Sequence, residues 1–191
     1  MIRGELFMFK VNYEDEIRKK EKIIKELKEE IALLKEEVNK YKEEAYHDSL
    51  THLNNRRILE NAVDYDSVII GDIDHFKKIN DTYGHLKGDE VLIAISEVLN
   101  SYIRETDIVC RWGGEEFVIV LKNCSNEDAY KKAEVLKEKV SQLKEKFGFE
   151  ITMSFGVSNY IFEKPVKDAI DEADKALYKS KQNGRNRVTM Y

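Results

Sequence analysis

Proline is almost absent, with Pro165 the single one in 191 residues. Between Val11 and Tyr83 the only glycine or proline is Gly71, so a helix started early meets no obvious breaker. Cysteine is scarce too. Cys110 and Cys124 stand 14 apart with no CxxC and no Cys/His cluster, so neither a disulfide framework nor a zinc site is implied, and a reducing, cytoplasmic home fits best. No apolar run approaches the roughly 18 residues of a membrane span, and residues 1–11 lack the charged start and cleavage pattern of a signal peptide. The chain is expected to be soluble, with no membrane contact of its own. Nor does one sign of charge dominate. Lys+Arg 32 against Asp+Glu 37 leaves −5 with no single-sign tail, which argues against a nucleic-acid partner but not against a local basic pocket.

What the chain has in excess is charge, 36% of its residues, against about 25% in an average soluble domain. Residues 12–46 hold 20 charged side chains in 35 positions, and the other 156 residues hold 49, an ordinary density. Two unlike segments are joined. The expected organisation is a short N-terminal segment 1–11, a coiled-coil signalling helix 12–47, and a folded domain 48–191.

In the charged segment Ile17, Ile24, Ile31, Val38 and Ala45 recur every seven positions, with Leu27, Leu34 and Tyr41 three residues after the middle ones. This is an a/d heptad seam, weakened at its start by Lys20 at a d position. β-Branched residues at a with leucine at d favour a parallel two-stranded coil, so a parallel homodimer is expected. Glu30 and Glu37 at g would face Lys35 and Lys42 at e of the partner helix. At 1.5 Å per residue the rod would be about 50 Å long. A single solvated helix is the competing reading.

Residues 48–191 read as α+β: a central, mostly antiparallel sheet flanked by helices. An amphipathic helix is expected around 56–63 and a buried strand at 67–71, followed by a helix whose apolar stripe begins just after Asp89. Strand-like runs at 108–110 and 117–121 flank Gly113-Gly114, a dipeptide suited to a turn needing positive φ. A helix over about 126–146, a strand over 150–158 and a last helix over 166–183 complete the pattern, with Gly184 as the stop.

The apolar run Val68-Ile69-Ile70 leads straight into Gly71-Asp72-Ile73-Asp74, which places two carboxylates at a strand's C-terminal end. Glu115 and Glu116 sit at the hairpin tip. If the hairpin neighbours the Asp72 strand, these carboxylates converge, and such a group is repulsive unless a hard divalent cation neutralises it. Lys77, Lys78, Lys181 and Arg185 are the candidate cations for phosphate. Lys181 and Arg185 lie one turn apart at the end of the last helix, where they could equally complement its dipole. Asn80 and Asp89 are the other polar pair to weigh, and Asp89 could equally be a helix N-cap.

Several ordered blocks together resemble one family. They are Asp48-Ser49-Leu50-Thr51 through Arg57, Asp72-Ile73-Asp74-His75-Phe76-Lys77-Lys78-Ile79-Asn80-Asp81, and Gly84-His85 with Gly88-Asp89-Glu90. They continue as Arg111-Trp112-Gly113-Gly114-Glu115-Glu116-Phe117, Ser154-Phe155-Gly156-Val157, and Ala173-Asp174-Lys175-Ala176-Leu177-Tyr178 through Gly184-Arg185-Asn186. From Asp48 onward the chain closely resembles the GGDEF-domain diguanylate cyclases, in a GGEEF variant. The resemblance implies condensation of two GTP into cyclic di-GMP with release of two pyrophosphates, on a palm-like fold related to nucleotide cyclases. It assigns Asp72, the Ile73 carbonyl and Glu115 to divalent metal, Mg²⁺ or Mn²⁺ with two ions per site, and Glu116 to metal or 3′-hydroxyl activation. Gly113 and Gly114 would let the nucleotide approach the backbone, and Asn80 and Asp89 would read guanine. A carboxylate can accept from both N1–H and N2–H₂, donors adenine does not pair in this way. Lys77, Lys181 and Arg185 would hold phosphates. Arg104 and Asp107, in an RxxD five residues before Gly113, would form an inhibitory product site; an i,i+3 ion pair is the plainer reading of the same spacing. His52 and Ser180 depart from the family's common glycine and alanine without touching an assigned ligand.

Each domain of this family holds one GTP, so two must face each other, and the coiled coil would raise one half-site's effective concentration beside the other. An upstream sensor would be the further partner. Competing readings are a non-catalytic receptor for cyclic di-GMP using Arg104 and Asp107, and a structural coiled-coil module with a vestigial domain.

Overall fold

A computed structural model describes residues 2–62, 64–159 and 165–191, the side chains of 2–15, 43 and 61 excepted. The chain divides into two units, Met1–Ala45 and Tyr46–Tyr191. The first is carried by helix α1, Ile2–Tyr46, which begins ten residues before the charged segment rather than after a separate N-terminal piece. Its seam is open to solvent: Ile17, Ile24, Leu27, Ile31, Leu34, Val38 and Tyr41 are each 40–59% exposed. Ion pairs such as Lys20–Glu16 at 3.1 Å lie along the helix, each worth a few tenths of a kcal/mol, about 0.3–0.5. No helix among the described residues is long and apolar enough to cross a membrane.

The second unit is a six-stranded sheet in the order β1-β3-β4-β2-β5-β6. Its strands are β1 Asn54–Asn55, β2 Ser67–Ile73, β3 Ile108–Arg111, β4 Glu116–Leu121, β5 Met153–Asn159 and β6 Val188–Met190. The inner pairs β3–β4, β4–β2 and β2–β5 are antiparallel, and the outer pairs β1–β3 and β5–β6 are parallel. β2 is central and buried along its whole length, which explains why Val68-Ile69-Ile70 has no polar alternation. Side chains alternate across it. Ile69 and Ile73 join Phe117, Ile119, Phe155 and the helix residues Val91, Ile95, Leu99 and Leu136 in the larger core. Val68 and Ile70 face the other way, with Val118 and Val120, onto Ala169, Ile170, Ala173 and Leu177.

The helices are α2 Phe76–Tyr83, α3 His85–Ser101, α4 Asn126–Ser141, α5 Lys144–Phe147 and α6 Val166–Gln182. Four sequence expectations change. The helix expected at 56–63 is a 3-10 segment, Arg56–Asn61, begun by the Asn55 side chain accepting from Arg57 N–H; position 63 lies outside the described residues. Helix α3 starts at His85, with Gly84 as its cap, so Asp89 lies in its second turn and is no N-cap. The helix expected to run to 146 stops at Ser141, and α5 follows as a separate turn closed by Gly148 at φ 78°. Strand β5 begins at Met153, three residues later than expected.

Candidate active site

Alternation along β2 puts Asp72 on the same face as Val68 and Ile70, toward α6. Asp72 is directly opposite Glu116 in the β2–β4 register, and Ile73 N–H donates to the Glu115 carbonyl at 3.3 Å. The expected convergence of strand-end carboxylates is therefore present. Lys181, from the last turn of α6, sets its Nζ 2.9 Å from Asp72 Oδ2. Burial raises the Asp72 carboxyl above its usual range, against the hydrogen bond and charge of Lys181; Asp74 pushes the same way as burial, and Arg185 opposes it. Glu115 and Glu116 are raised too, by burial first and then by the Asp72 charge. Carboxylates disfavoured by burial, with the Asp72 charge acting against both glutamates, mark a site short of positive charge.

Helix α6 reaches this place because β5 offers it a floor of small residues, Ser154, Gly156 and Ser158. A Cβ on Gly156 would run into the backbone of α6 at the Ala173 carbonyl and Leu177 N–H. Ser158 donates to the Ala169 carbonyl at 2.6 Å, and Ser180 donates to the Phe155 carbonyl at 2.8 Å and lies 2.6 Å from the Thr189 hydroxyl. These bonds fix the register of α6 on the sheet and so the reach of Lys181.

Asp74, grouped with Asp72 from the sequence, does something else. Buried, it accepts from Thr152 Oγ1 at 2.8 Å, Ser154 Oγ at 2.7 Å and the Asn186 N–H at 3.0 Å. It thereby ties the loop after α6 to the end of β2, and that loop carries Arg185. Arg185 and Asn186 both hold left-handed backbone, φ 63° and 46°, a conformation non-glycine residues adopt only when the surroundings enforce it. Residue type and position alone do not separate Asp72 from Asp74; only the family resemblance, which assigns Asp72 and not Asp74 to metal, does.

The hairpin tip corrects a further expectation. Neither Gly113 nor Gly114 has positive φ. A Cβ on Gly113 would sit 2.8 Å from Glu116 Oε2, the free end of a side chain that can swing aside, and a Cβ on Gly114 would meet nothing within 4 Å. Arg111 braces the tip: its Nη2 and Nε donate to the Gly114 carbonyl at 2.7 and 3.3 Å. Its Nη1 donates to both oxygens of Asp48 at 3.0 and 3.2 Å.

Asn80 and Asp89 come from α2 and α3. The Asn80 side chain lies across Gly88, where any Cβ would strike its Oδ1, which sets Asn80 beside the residue preceding Asp89. Lys77 is exposed in the first turn of α2, whose cap residue His75 makes no side-chain capping bond. Arg104 is exposed, but the Asp107 side chain is only 2% exposed. Its carboxylate accepts from Arg104 N–H at 3.1 Å and Lys122 N–H at 3.1 Å, with Lys132 Nζ 3.6 Å away. Asp107 thus closes the turn before β3 and faces inward. The Arg104–Asp107 contact is backbone to carboxylate, not the i,i+3 side-chain pair that the spacing also allowed.

Among the described residues no three acidic, histidine or cysteine side chains stand close enough to hold an ion as placed. The donor set nevertheless suits a hard cation: carboxylates of Asp72, Glu115 and Glu116 and the Ile73 carbonyl are all oxygen, and the Lys181 ammonium already takes the place of a positive charge on Asp72. A cleft of about 270 Å³ between α2 and residues 149–152 borders this place from the Asp74 side without including Asp72 or Glu115.

The family profile described as "Diguanylate cyclase, GGDEF domain" matches residues 45–187. The chain belongs to the GGDEF-domain diguanylate cyclase family. It is similar to diguanylate cyclase A of Treponema denticola, 44% identical over 128 residues that make 65% of this chain and 34% of that protein. Diguanylate cyclase DgcM of Escherichia coli is 40% identical over 156 residues, 75% of this chain and 38% of the relative. The matched region thus spans little more than a third of either relative's length. A crystal structure of the coiled coil and GGDEF domain of DgcB from Caulobacter crescentus, in complex with c-di-GMP, matches with a TM-score of 0.80 at 29% identity. That match covers 90% of this chain and 98% of the other.

Proposed function

We propose that this chain is an active diguanylate cyclase that joins two GTP into cyclic di-GMP and releases two pyrophosphates, with one GTP held by each of two domains. The observation that carries the reading is the gathering of Asp72, Glu115, Glu116, Lys181 and Arg185 at one end of the sheet. That gathering suits a metal-bound polyphosphate. Asp72, the Ile73 carbonyl and Glu115 would hold Mg²⁺ or Mn²⁺, with Glu116 beside them. When bound, the divalent cation supplies Lewis-acid polarisation of the α-phosphate and lowers the cost of ionising the attacking 3′-hydroxyl. Lys181 then exchanges Asp72 for a phosphate oxygen, Arg185 adds a planar fork to the same anion, and Lys77 extends the positive rim. The uncapped first turn of α2 offers backbone N–H groups with favourable dipole for the outer phosphates. Asp89 accepts the paired donors of guanine and Asn80 fixes the edge, which selects against adenine. Gly113 and Gly114 keep the tip free of side chains where the nucleotide passes.

The exposed α1 seam supports a parallel coiled-coil homodimer, which covers the apolar row and brings two half-sites to an effective concentration on the order of millimolar. Product inhibition is proposed at Arg104, whose exposed guanidinium suits a phosphate or guanine edge of cyclic di-GMP. Asp107 holds the turn from which Arg104 projects, and it would reach a guanine only by giving up Lys132.

The test is turnover of purified protein with Mg²⁺ and GTP, followed as pyrophosphate release, in the parent and in Glu115→Ala and Arg104→Ala. Expected are one pyrophosphate per GTP, loss of turnover in Glu115→Ala with cyclic di-GMP binding kept, and relief of product inhibition in Arg104→Ala. Binding of cyclic di-GMP with no turnover in the product-stripped parent would instead favour the receptor reading.

A further inference from the structure

We propose that Arg111 is a positioning residue for the catalytic hairpin and that Asp48 holds it in that role. Turnover then depends on the turn that directly follows α1. The inference rests on the reading of Glu115 and Glu116 as catalytic carboxylates.

Two consecutive glycines leave the tip between β3 and β4 with much backbone freedom to lose, because each glycine has more of it to lose on ordering than any other residue. Their φ values are not those that demand glycine, and a Cβ on Gly114 would meet nothing within 4 Å, so nothing at the tip itself takes up that freedom. Something outside the tip must fix it. The Gly114 carbonyl receives two N–H groups of Arg111. Pinning that oxygen fixes the plane of the Gly114–Glu115 peptide, and with it the direction from which the Glu115 side chain leaves.

The other edge of the guanidinium is spoken for as well. Asp48 accepts Arg111 Nη1 on both oxygens and is itself oriented by Thr51, through N–H at 2.9 Å and Oγ1 at 2.7 Å. Burial opposes the charge on Asp48, but the Thr51 and Arg111 hydrogen bonds outweigh it and hold the carboxyl below its ordinary value. The Asp48 and Arg111 side chains are 22% and 16% exposed, so the pair is largely withdrawn from the solvent screening that makes surface pairs weak. The turn is closed by Asp48 N–H to the Leu53 carbonyl at 2.8 Å and His52 N–H to the Asp48 carbonyl at 2.9 Å. It begins two residues after Tyr46, the end of α1. Only a guanidinium serves carbonyl and carboxylate at once from a rigid fork; a lysine ammonium cannot span both.

The test is steady-state kinetics on Asp48→Asn, Arg111→Lys and the double variant, with thermal melting and cyclic di-GMP binding measured alongside. Each single variant is expected to lose about tenfold or more in kcat while KM for GTP moves by less than about threefold, because a misplaced reacting group costs rate before binding. The double variant is expected to lose no more than Arg111→Lys alone, since the two residues act in series. Unchanged kcat, independent multiplying losses, or losses that follow a collapse in melting temperature and product binding would overturn the proposal. If the parent makes no cyclic dinucleotide, the functional reading fails by itself and amide exchange over residues 112–116 decides the brace. Faster exchange in Asp48→Asn supports it, and unchanged exchange overturns it.

Discussion

Replacing Asp74 by alanine removes one acceptor and strands three donors. The Thr152 and Ser154 hydroxyls and the Asn186 N–H all end on this carboxylate at 2.7–3.0 Å, and Asp74 is only 5% exposed. Hydrogen bonds to a charged group contribute about 1.5–3 kcal/mol each, but the two hydroxyls can rotate toward other acceptors or admitted water, so the sum is not reached. A net loss of about 3–4 kcal/mol is expected. At about 2–4 °C per kcal/mol for a unit of this size, the melting temperature should fall by roughly 6–16 °C. Asp74→Asn keeps the shape and one acceptor oxygen and should lose about half as much. Calorimetry and urea unfolding check the magnitude. A second readout follows from geometry: freeing Asn186 frees Arg185 beside it, so KM for GTP should rise in whatever fraction of the variant remains folded. An Asp74→Ala protein that melts within about 2 °C of the parent would refute the claim that this carboxylate ties the loop to the sheet.

The seat of α6 gives a sharper steric expectation: Gly156→Ala sets a methyl against helix backbone, and a loss of about 3 kcal/mol or more, read by urea unfolding, is expected. For Glu115 the sign of the pH effect runs against intuition. Its carboxyl is raised in the folded protein, so the folded state holds the proton more tightly than the unfolded chain, and stability falls as pH rises from the ordinary carboxylate range through the raised value. Glu115→Gln should therefore melt about a degree or two above the parent at neutral pH, with the gain vanishing near pH 4, while its turnover is lost. Paired melting curves at the two pH values check this. On α1, Leu34→Lys places a charge in the exposed seam, and sedimentation should show monomer where the parent sediments as a dimer, with turnover at low protein concentration falling together with it.

Those strand-end carboxylates were legible because a buried apolar strand that runs straight into acids must bring them to the edge of the core, and the structure sets Asp72 directly opposite Glu116. The seam of α1 was legible for a similar reason, a heptad repeat sustained along a charged helix. What the residues did not disclose were properties of the third dimension. Asp72 and Asp74 share a motif and a parity, yet one meets Lys181 and the other a ring of hydroxyls and an amide, because β2 ends between them. Gly113-Gly114 looked like turn chemistry, yet neither holds positive φ and a Cβ on Gly114 would meet nothing within 4 Å. The helix α2 buries only Phe76 and Ile79, too few to show a 3.6-residue period. Arg111 was visible only as part of a motif, since nothing local tells that its guanidinium spans from Asp48 to Gly114. RxxD suggested a shared face for Arg104 and Asp107, but backbone hydrogen bonds turn the carboxylate inward.

The most direct measurement of the central claim is the identity of the product. Purified protein, stripped of any bound dinucleotide, is incubated with GTP and Mg²⁺ beside its Glu115→Gln variant, and the nucleotides are resolved by chromatography and mass over time. Cyclic di-GMP is expected from the parent, at a rate that falls as product accumulates, and none from the variant. A stripped parent that leaves GTP intact, or a variant that matches it, would contradict the assignment of these carboxylates to catalysis.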